Sequence, residues 1–405
     1  MIFQTLDDKS TCVGVYADGS LFFDDDWKDL PLSKTWKPTT YLREKDIEYA
    51  SLYLEGRPVT EVIPEYLEDD WKDVTQRLGA FKRCLEISQI SRSENCFYDL
   101  VPSRFLMEYC EIKNQITDHV ISSLSRPSRY EFYKEVCFLL EEIAQRNITL
   151  DNRVFQSYIN SGSLGRYAES VMSASPVVKY NQFGTKTGRL TTTKGCVPIL
   201  TLPKPLRRGI LPTNDFFVEI DFNGAEIRTL LGILGKEQPS GDVHSFHQHH
   251  LMERCESRDK AKVAFFAWLY GSRTAVSKDD ARRFEDYYQR QELLDRFWDG
   301  RQVVTPYQKI IAAPSEHVAL NYLVQSTAAE LLLKQALKVN YLLRTSSSGS
   351  FLSFLIHDSI ILDMKKEDMG LLGAAQHLMS STNYGKYEIN LSKGATLGTL
   401  EKWKI

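Results

Sequence analysis

Two short apolar runs, far apart in the chain, set the frame for everything between them. Phe216-Phe-Val-Glu-Ile-Asp221 reads as a strand that closes on an aspartate. Phe351-Leu-Ser-Phe-Leu-Ile and Ile360-Ile-Leu read as a second β-rich segment, with Asp358 at or near a hairpin tip. Between and beside them, Ala225 to Leu234, Arg258 to Tyr270 and Glu316 to Leu343 carry the spacing of helices. Strand runs mixed with long helices predict an α+β architecture. The 405 residues leave room for two to three domains at ~150 residues each. Hydrophobic residues at 42% and charged residues at 25% are ordinary globular usage and exclude a disordered or fibrous chain.

The rest of the chain is read in the same way. Cys12-Val-Gly-Val-Tyr and Leu21-Phe-Phe flank an Ala17-Asp-Gly-Ser turn, so the start is predicted to form strands. An acidic, irregular stretch runs to about residue 60. Helical spacing returns from Val101 to Ile121 and from Tyr130 to Gln145, broken at Arg126-Pro127. Ser161 to Pro176 reads as a Gly- and Ser-containing connection, and Thr345-Ser-Ser-Ser-Gly-Ser350 as a flexible link. The longest apolar stretch, Val263 to Tyr270, falls well short of the ~18 residues that span a bilayer. Met1-Ile-Phe-Gln-Thr-Leu-Asp-Asp has neither a basic start nor an apolar core, so no export signal is expected. Seven scattered cysteines with no Cys-x-x-Cys pair fit reduced thiols and a cytoplasmic location.

The net charge of -3 conceals an asymmetry. Residues 1–100 hold 20 acids and 12 bases, which leaves 33 acids and 38 bases for the remainder. Between Ser170 and Asn214 stand seven bases (Lys179, Lys186, Arg189, Lys194, Lys204, Arg207, Arg208) and no acid. Such a segment suits a polyanion, since phosphates are bound by releasing counterions to Lys and Arg. A solvated loop explains the charge equally well on its own.

Strand ends deliver carboxylates to fixed positions. Two of them, Asp221 and Asp358, could hold two Mg²⁺ ions ~3.5–4 Å apart, the arrangement that stabilises both oxygens of a phosphoryl transfer. Taken singly, each aspartate is as ordinary as any turn residue. The helix from Arg258 changes the weighing. Arg258, Lys262, Phe266 and Tyr270 recur at steps of four, so they stay broadly on one face and climb ~6 Å per step. A nucleoside triphosphate along that stripe would meet two cations, then aromatic rings. Phe265 and Trp268 on the same segment read instead as core.

Taken together, these segments resemble the family A DNA polymerases, those like bacterial DNA polymerase I, over roughly residues 130–405. Thr187-Gly-Arg-Leu-Thr is similar to the family's Thr-Gly-Arg-Leu-Ser. Asp221-Phe-Asn-Gly-Ala-Glu-Ile-Arg228 resembles its motif A, Asp-Tyr-Ser-Gln-Ile-Glu-Leu-Arg, and Asp242-Val-His244 its Asp-Ile-His. Motif B, Arg-x3-Lys-x3-Phe-x3-Tyr-Gly, is complete at 258–271. Asn321-x3-Gln325-Ser-Thr-Ala-Ala resembles Asn-x3-Gln-Gly-Thr-Ala-Ala, and His357-Asp-Ser359 falls where motif C, His-Asp-Glu, belongs. All six stand in the family's order.

The resemblance implies a right-hand fold and template-directed DNA synthesis from a primer 3′-OH and dNTPs. Its residues transfer one by one. Asp221 and Asp358, with Phe222 beside the first, are the implied metal site. His244, Arg258 and Lys262 would hold the triphosphate, and Phe266 and Tyr270 would pack on sugar and base. Glu226 would fill the space that a ribose 2′-OH needs. Arg189, Asn321, Gln325 and His357 would touch DNA. A minor groove with similar acceptors on every pair lets such donors test pairing geometry without reading sequence.

Expected divisions are an N-terminal domain at 1–100, a helical segment at 101–185 that starts the palm and carries a reduced thumb, palm at 186–250, fingers at 251–315 and palm again at 316–405. Two departures stand out: Ser359 replaces a Glu and His317 replaces an Arg. His-Asp-Ser also resembles motif C of single-subunit RNA polymerases, which keeps an RNA polymerase or primase-like enzyme in view. A nucleic-acid-binding protein without catalysis is the third reading. Upstream, Asp46-Ile-Glu48 and Asn95-Cys-Phe-Tyr-Asp99 match exonuclease patterns, but Lys113 follows Tyr109 where an Asp belongs. The expectation there is a domain of unknown role, either a degenerate exonuclease-like remnant or an unrelated domain, with any exonuclease or processivity function on a partner chain. The compact size suggests a phage or mobile-element enzyme acting in a host cytoplasm. Asp242, His244, His247, His249 and His250 offer an alternative transition-metal cluster.

Overall fold

The computed structural model describes residues 1–403 apart from Ser10, Asp25, Arg92, Ser93, Glu253, Arg254 and residues 272–275. It is α+β and divides into two units, Met1–Gln145 and Arg146–Ile405. Among the described residues no helix is long and apolar enough to cross a membrane.

The first unit opens with an antiparallel meander, β1 (Phe3–Asp8), β2 (Thr11–Ala17) and β3 (Ser20–Phe23). Asp18 and Gly19 both take positive φ, the two-residue turn whose twist matches flanking strands. Three helices follow: α1 (Glu65–Ile87), α2 (Ser103–Ser123) and α3 (Tyr130–Ala144). Helix α1 was invisible to periodicity, because only Leu67, Val74 and Leu85 of its residues are buried.

The compact units divide at 145/146, so helices α2 and α3 belong to the first. Helix α2 finds its partners upstream: Cys110 packs with Leu6 and Tyr16, and Gln4 Nε2 donates to Asn114 Oδ1 at 3.0 Å and Thr117 Oγ1 at 3.1 Å. Helix α3 is joined the same way, with Tyr130 Oη accepting from Tyr49 N at 2.7 Å. Glu48 accepts from Tyr53 Oη, Asp99 is exposed in a 3-10 turn, and Tyr109 stacks between Trp71 and Phe105.

The second unit begins with α4 (Asn152–Tyr158) and α5 (Ser163–Ser173). The connection expected over 161–176 is therefore largely helix. Ala168 and Val171 are fully buried, and that small apolar face outweighs the Ser and Gly content.

At its centre stands a five-stranded antiparallel sheet. In chain order the strands are β4 (Phe216–Phe222), β5 (Phe351–Ile356), β6 (Ser359–Met364), β7 (Ile389–Gly394) and β8 (Glu401–Lys402), arranged β5-β6-β4-β7-β8. Alternation along β4 separates two faces. Val218, Ile220 and Phe222 are buried, while Glu219 and Asp221 stand half-buried opposite them. Helices α11 (Glu316–Thr345) and α12 (Leu372–Ser380) pack against the sheet, and α6 (Ala225–Ile233) packs on α11.

A second apolar core gathers α6, α8 (Arg258–Leu269), α9 (Lys278–Tyr288), α10 (Arg290–Phe297) and the first turns of α11. Phe265 and Trp268 of α8 lie in it beside Phe284 and Tyr288. Ser257 caps α8, its side chain accepting from Lys260 N. Gly271, at φ 81°, takes a conformation that suits glycine just past the helix.

Candidate active site

Strand register brings the two aspartates together. Asp221 on β4 pairs with Ser359 on β6, and Phe222 N donates to Asp358 O at 3.3 Å. Asp358 occupies the turn between β5 and β6, where His357 takes a positive φ of 53°. Both carboxylates therefore lie at one end of the sheet, as their positions in the sequence imply.

The electrostatics there are unbalanced. Burial pushes the Asp221 carboxyl up to about 7, and the neighbouring charges of Glu219 and Asp358 add to the rise. An Asn390 Nδ2 hydrogen bond at 3.2 Å and the charge of Lys262 oppose it. Asp358 is raised by burial too, against the charges of Arg189, His357 and Lys262. Among the described residues neither aspartate forms an ion pair. Two such carboxylates, with the backbone carbonyl as the one donor Phe222 has, are hard oxygen ligands that fit a divalent cation of the Mg²⁺ kind.

Helix α8 presents its polar stripe apart from its core face. Arg258 is half-exposed and bidentate on Asp242, with Nε at 2.9 Å and Nη2 at 2.7 Å. Asp242 also caps α7 (Val243–Phe246), accepting from Ser245 N at 2.8 Å, and accepts from Asn223 Nδ2 at 3.0 Å. Those donors hold its carboxyl far below the usual range. Lys262 is exposed one turn on, and Phe266 stacks on Tyr270 with centroids 5.8 Å apart. His244 packs beside Phe266 at 6.0 Å. Burial lowers its pKa to about 4, so it is neutral at pH 7, and its buried Nδ1 has no partner.

Glu226, on the first turn of α6, is buried and links three expected residues. It accepts from Tyr270 Oη at 2.6 Å and pairs with Arg189, and Gln325 also hydrogen-bonds Tyr270. Asn321, one turn before Gln325 on α11, has a buried Oδ1 without a partner. Arg189, His357 and Asp358 line a groove of about 610 Å³ with Thr191, Leu333 and Leu355.

The alternative histidine cluster does not form. Asp242 is engaged by Arg258, His247 lies fully buried against Phe265 and Tyr288, and His249 and His250 are exposed. Among the described residues no three His, Cys, Asp or Glu side chains are grouped to hold a metal. The aromatic core that α8 and α9 build around His247 removes it from such a role.

Three supporting residues escaped the sequence reading. Asn223 joins the turn after Asp221 to the Asp242 turn, its Oδ1 accepting from Val243 N at 3.1 Å. Arg228, with no exposed surface, donates to Asn223 O, Pro239 O and Gly241 O at 2.7, 3.0 and 2.5 Å. Glu219 shares the sheet face of Asp221, and the Glu-x-Asp spacing was the signal for it. The His317 ring lies against the end of α8, where a Cβ on Gly271 would sit 2.3 Å from it.

No protein-family model and no curated protein matches the chain. Solved structures do. The POL domain of Pol1 from M. smegmatis, in complex with DNA primer-template and dNTP, superposes with a TM-score of 0.57 at 13% sequence identity. The match covers 73% of this chain and 76% of that one. What the two share is a fold. At that identity the likeness carries the α+β polymerase-domain architecture and leaves chemistry to the residues themselves.

Proposed function

We propose that the chain is a template-directed DNA polymerase of the family A type. The observation that carries this is the meeting of Asp221 and Asp358 at one sheet end, with charges of Lys262 and Arg189 felt there. The fold likeness to a polymerase domain supports it. In this reading the sheet β4–β8 is the palm, α8–α10 the fingers, and α4–α5 a reduced thumb. The partners are primer-template DNA and dNTPs, and a separate exonuclease or processivity subunit would serve what a short thumb does not.

Asp221, Asp358 and the Phe222 carbonyl would hold two Mg²⁺ ions, which when bound stabilise charge on the attacking and leaving oxygens. The primer 3′-hydroxyl gives its proton to water, its oxygen bonds the α-phosphorus, and pyrophosphate leaves with the electron pair of the broken bond. Lys262 and Arg258 bind the triphosphate, and Arg258 exchanges Asp242 for phosphate as it does so. Neutral His244 is able to donate one hydrogen bond. Phe266 and Tyr270 orient sugar and base. Glu226, fixed by Tyr270 and Arg189, occupies the place of a ribose 2′-OH, which favours dNTPs over the rNTPs of a single-subunit RNA polymerase or primase. Arg189, His357, Asn321 and Gln325 face the primer-template.

Primer extension with Mg²⁺, offering dNTPs or rNTPs to wild type and Asp358→Ala, tests the proposal. Extension with dNTPs that the variant loses is the expected result. Extension with rNTPs alone would replace it with RNA synthesis, and tight primer-template binding with no extension would replace it with a binding protein.

A further inference from the structure

Strand β4 carries one carboxylate more than the resemblance calls for, and β6 carries one fewer. Glu219 stands two residues before Asp221, so the two share a sheet face at a spacing of about 6.6 Å. The register places Ser359 opposite Asp221 and Ile361 opposite Glu219. Ser359 is 2% exposed, and its hydroxyl lies within donating reach of Glu219 Oε1 (3.1 Å) and Ile356 O (2.9 Å). A glutamate at 359 would set a second anion against Glu219 in that buried slot. A serine there hydrogen-bonds the acid instead. The small residue on one strand and the extra acid on its neighbour form a complementary pair.

We infer that Glu219 supplies, from β4, the auxiliary carboxylate that Ser359 leaves out on β6. No three acidic, His or Cys side chains among the described residues converge on one ion. Mg²⁺ binds through one or two carboxylates and keeps several waters. Glu219 therefore acts as a positioning residue, accepting hydrogen bonds from the hydration shell of the ion at Asp221, with the Ser359 hydroxyl holding it in place. The inference rests on the reading of Asp221 and Asp358 as metal ligands.

Mn²⁺ binding to the full chain without nucleotide, followed by electron paramagnetic resonance, tests it apart from activity. Glu219→Gln is expected to weaken Mn²⁺ about tenfold, as loss of an outer hydrogen-bond partner does. Glu219→Gln combined with Ser359→Glu returns the acid to β6 and is expected to recover most of that loss. Circular dichroism melts confirm that each variant is folded. Unchanged affinity in Glu219→Gln, with affinity lost in Asp221→Asn, would overturn the role of Glu219 alone. Unchanged affinity in both would overturn the metal site itself. Weakened binding that a folded double variant fails to recover would overturn the exchange between strands.

Discussion

A neutral cluster in the first unit and the sheet end of the second handle buried polarity differently. Against the meander of the first, Gln4, Asn114 and Thr117 form a neutral cluster in which each side chain has its partner inside the protein. Nearby charge is matched too: Arg43 spans Glu135 at 2.7 Å and Glu142 at 2.6 Å, and Tyr16 Oη donates to Glu111 Oε2 at 2.9 Å. At the sheet end of the second unit, Glu219 and Asp358 both repel Asp221, and on α7 the buried Nδ1 of His244 stays unmatched. Leaving a buried polar group unpaired costs ~1–3 kcal/mol, more when it is charged. The first arrangement serves the fold, and the second carries a cost that the proposed cation would relieve.

The comparison breaks most readily at the aspartates. Asp221→Asn or Asp358→Asn is expected to lower primer extension at least ~10³-fold, since metal stabilisation of the transition state is worth several kcal/mol. Extension kinetics at saturating Mg²⁺ check it. Glu226→Ala is expected to reduce discrimination against rNTPs by ~10–100-fold, read as the ratio of kcat/KM for dNTP and rNTP. Retained discrimination would detach Glu226 from the sugar.

A smaller effect concerns pH. Asp221 has a folded pKa of about 7, above its unfolded value. Its contribution to stability is therefore full below the unfolded pKa and is lost as pH rises through about 7. Without divalent metal, melting temperature is expected to fall by a few degrees between pH 5 and pH 8, and Mg²⁺ or Asp221→Asn to flatten that fall. Thermal melts of the metal-free chain, the chain with Mg²⁺ and the Asp221→Asn variant, each at both pH values, check it. The first unit supplies the opposite control. Gln4→Leu strands Asn114 Oδ1, while Thr117 keeps its bond to Lys113 O, and is expected to cost ~1–3 kcal/mol in denaturant unfolding, with kcat for extension unchanged.

Much of the site was legible before any fold. The strand that closes on Asp221 and the four-step stripe of α8 follow from the periods of strand and helix, so their faces could be assigned from the residues alone, whereas the Glu219 two residues before Asp221 went unread. Helix α1 was not legible, because a surface helix with three buried residues leaves little periodic signal. The boundary near 145 was not either. The apolar faces of α2 and α3 announce that they need partners without naming the strands that provide them.

By itself, then, the sequence determined which residues are candidates for chemistry and which way each local element presents them. Only tertiary structure decided who meets whom. The β4–β6 register sets Asp221 beside Asp358 and Glu219 beside Ser359, and loop packing gives Arg258 to Asp242 and Tyr270 to Glu226. The physical reason is range. Backbone period acts over a few residues, whereas these pairs are joined by hydrogen bonds and burial between segments that many unrelated residues separate.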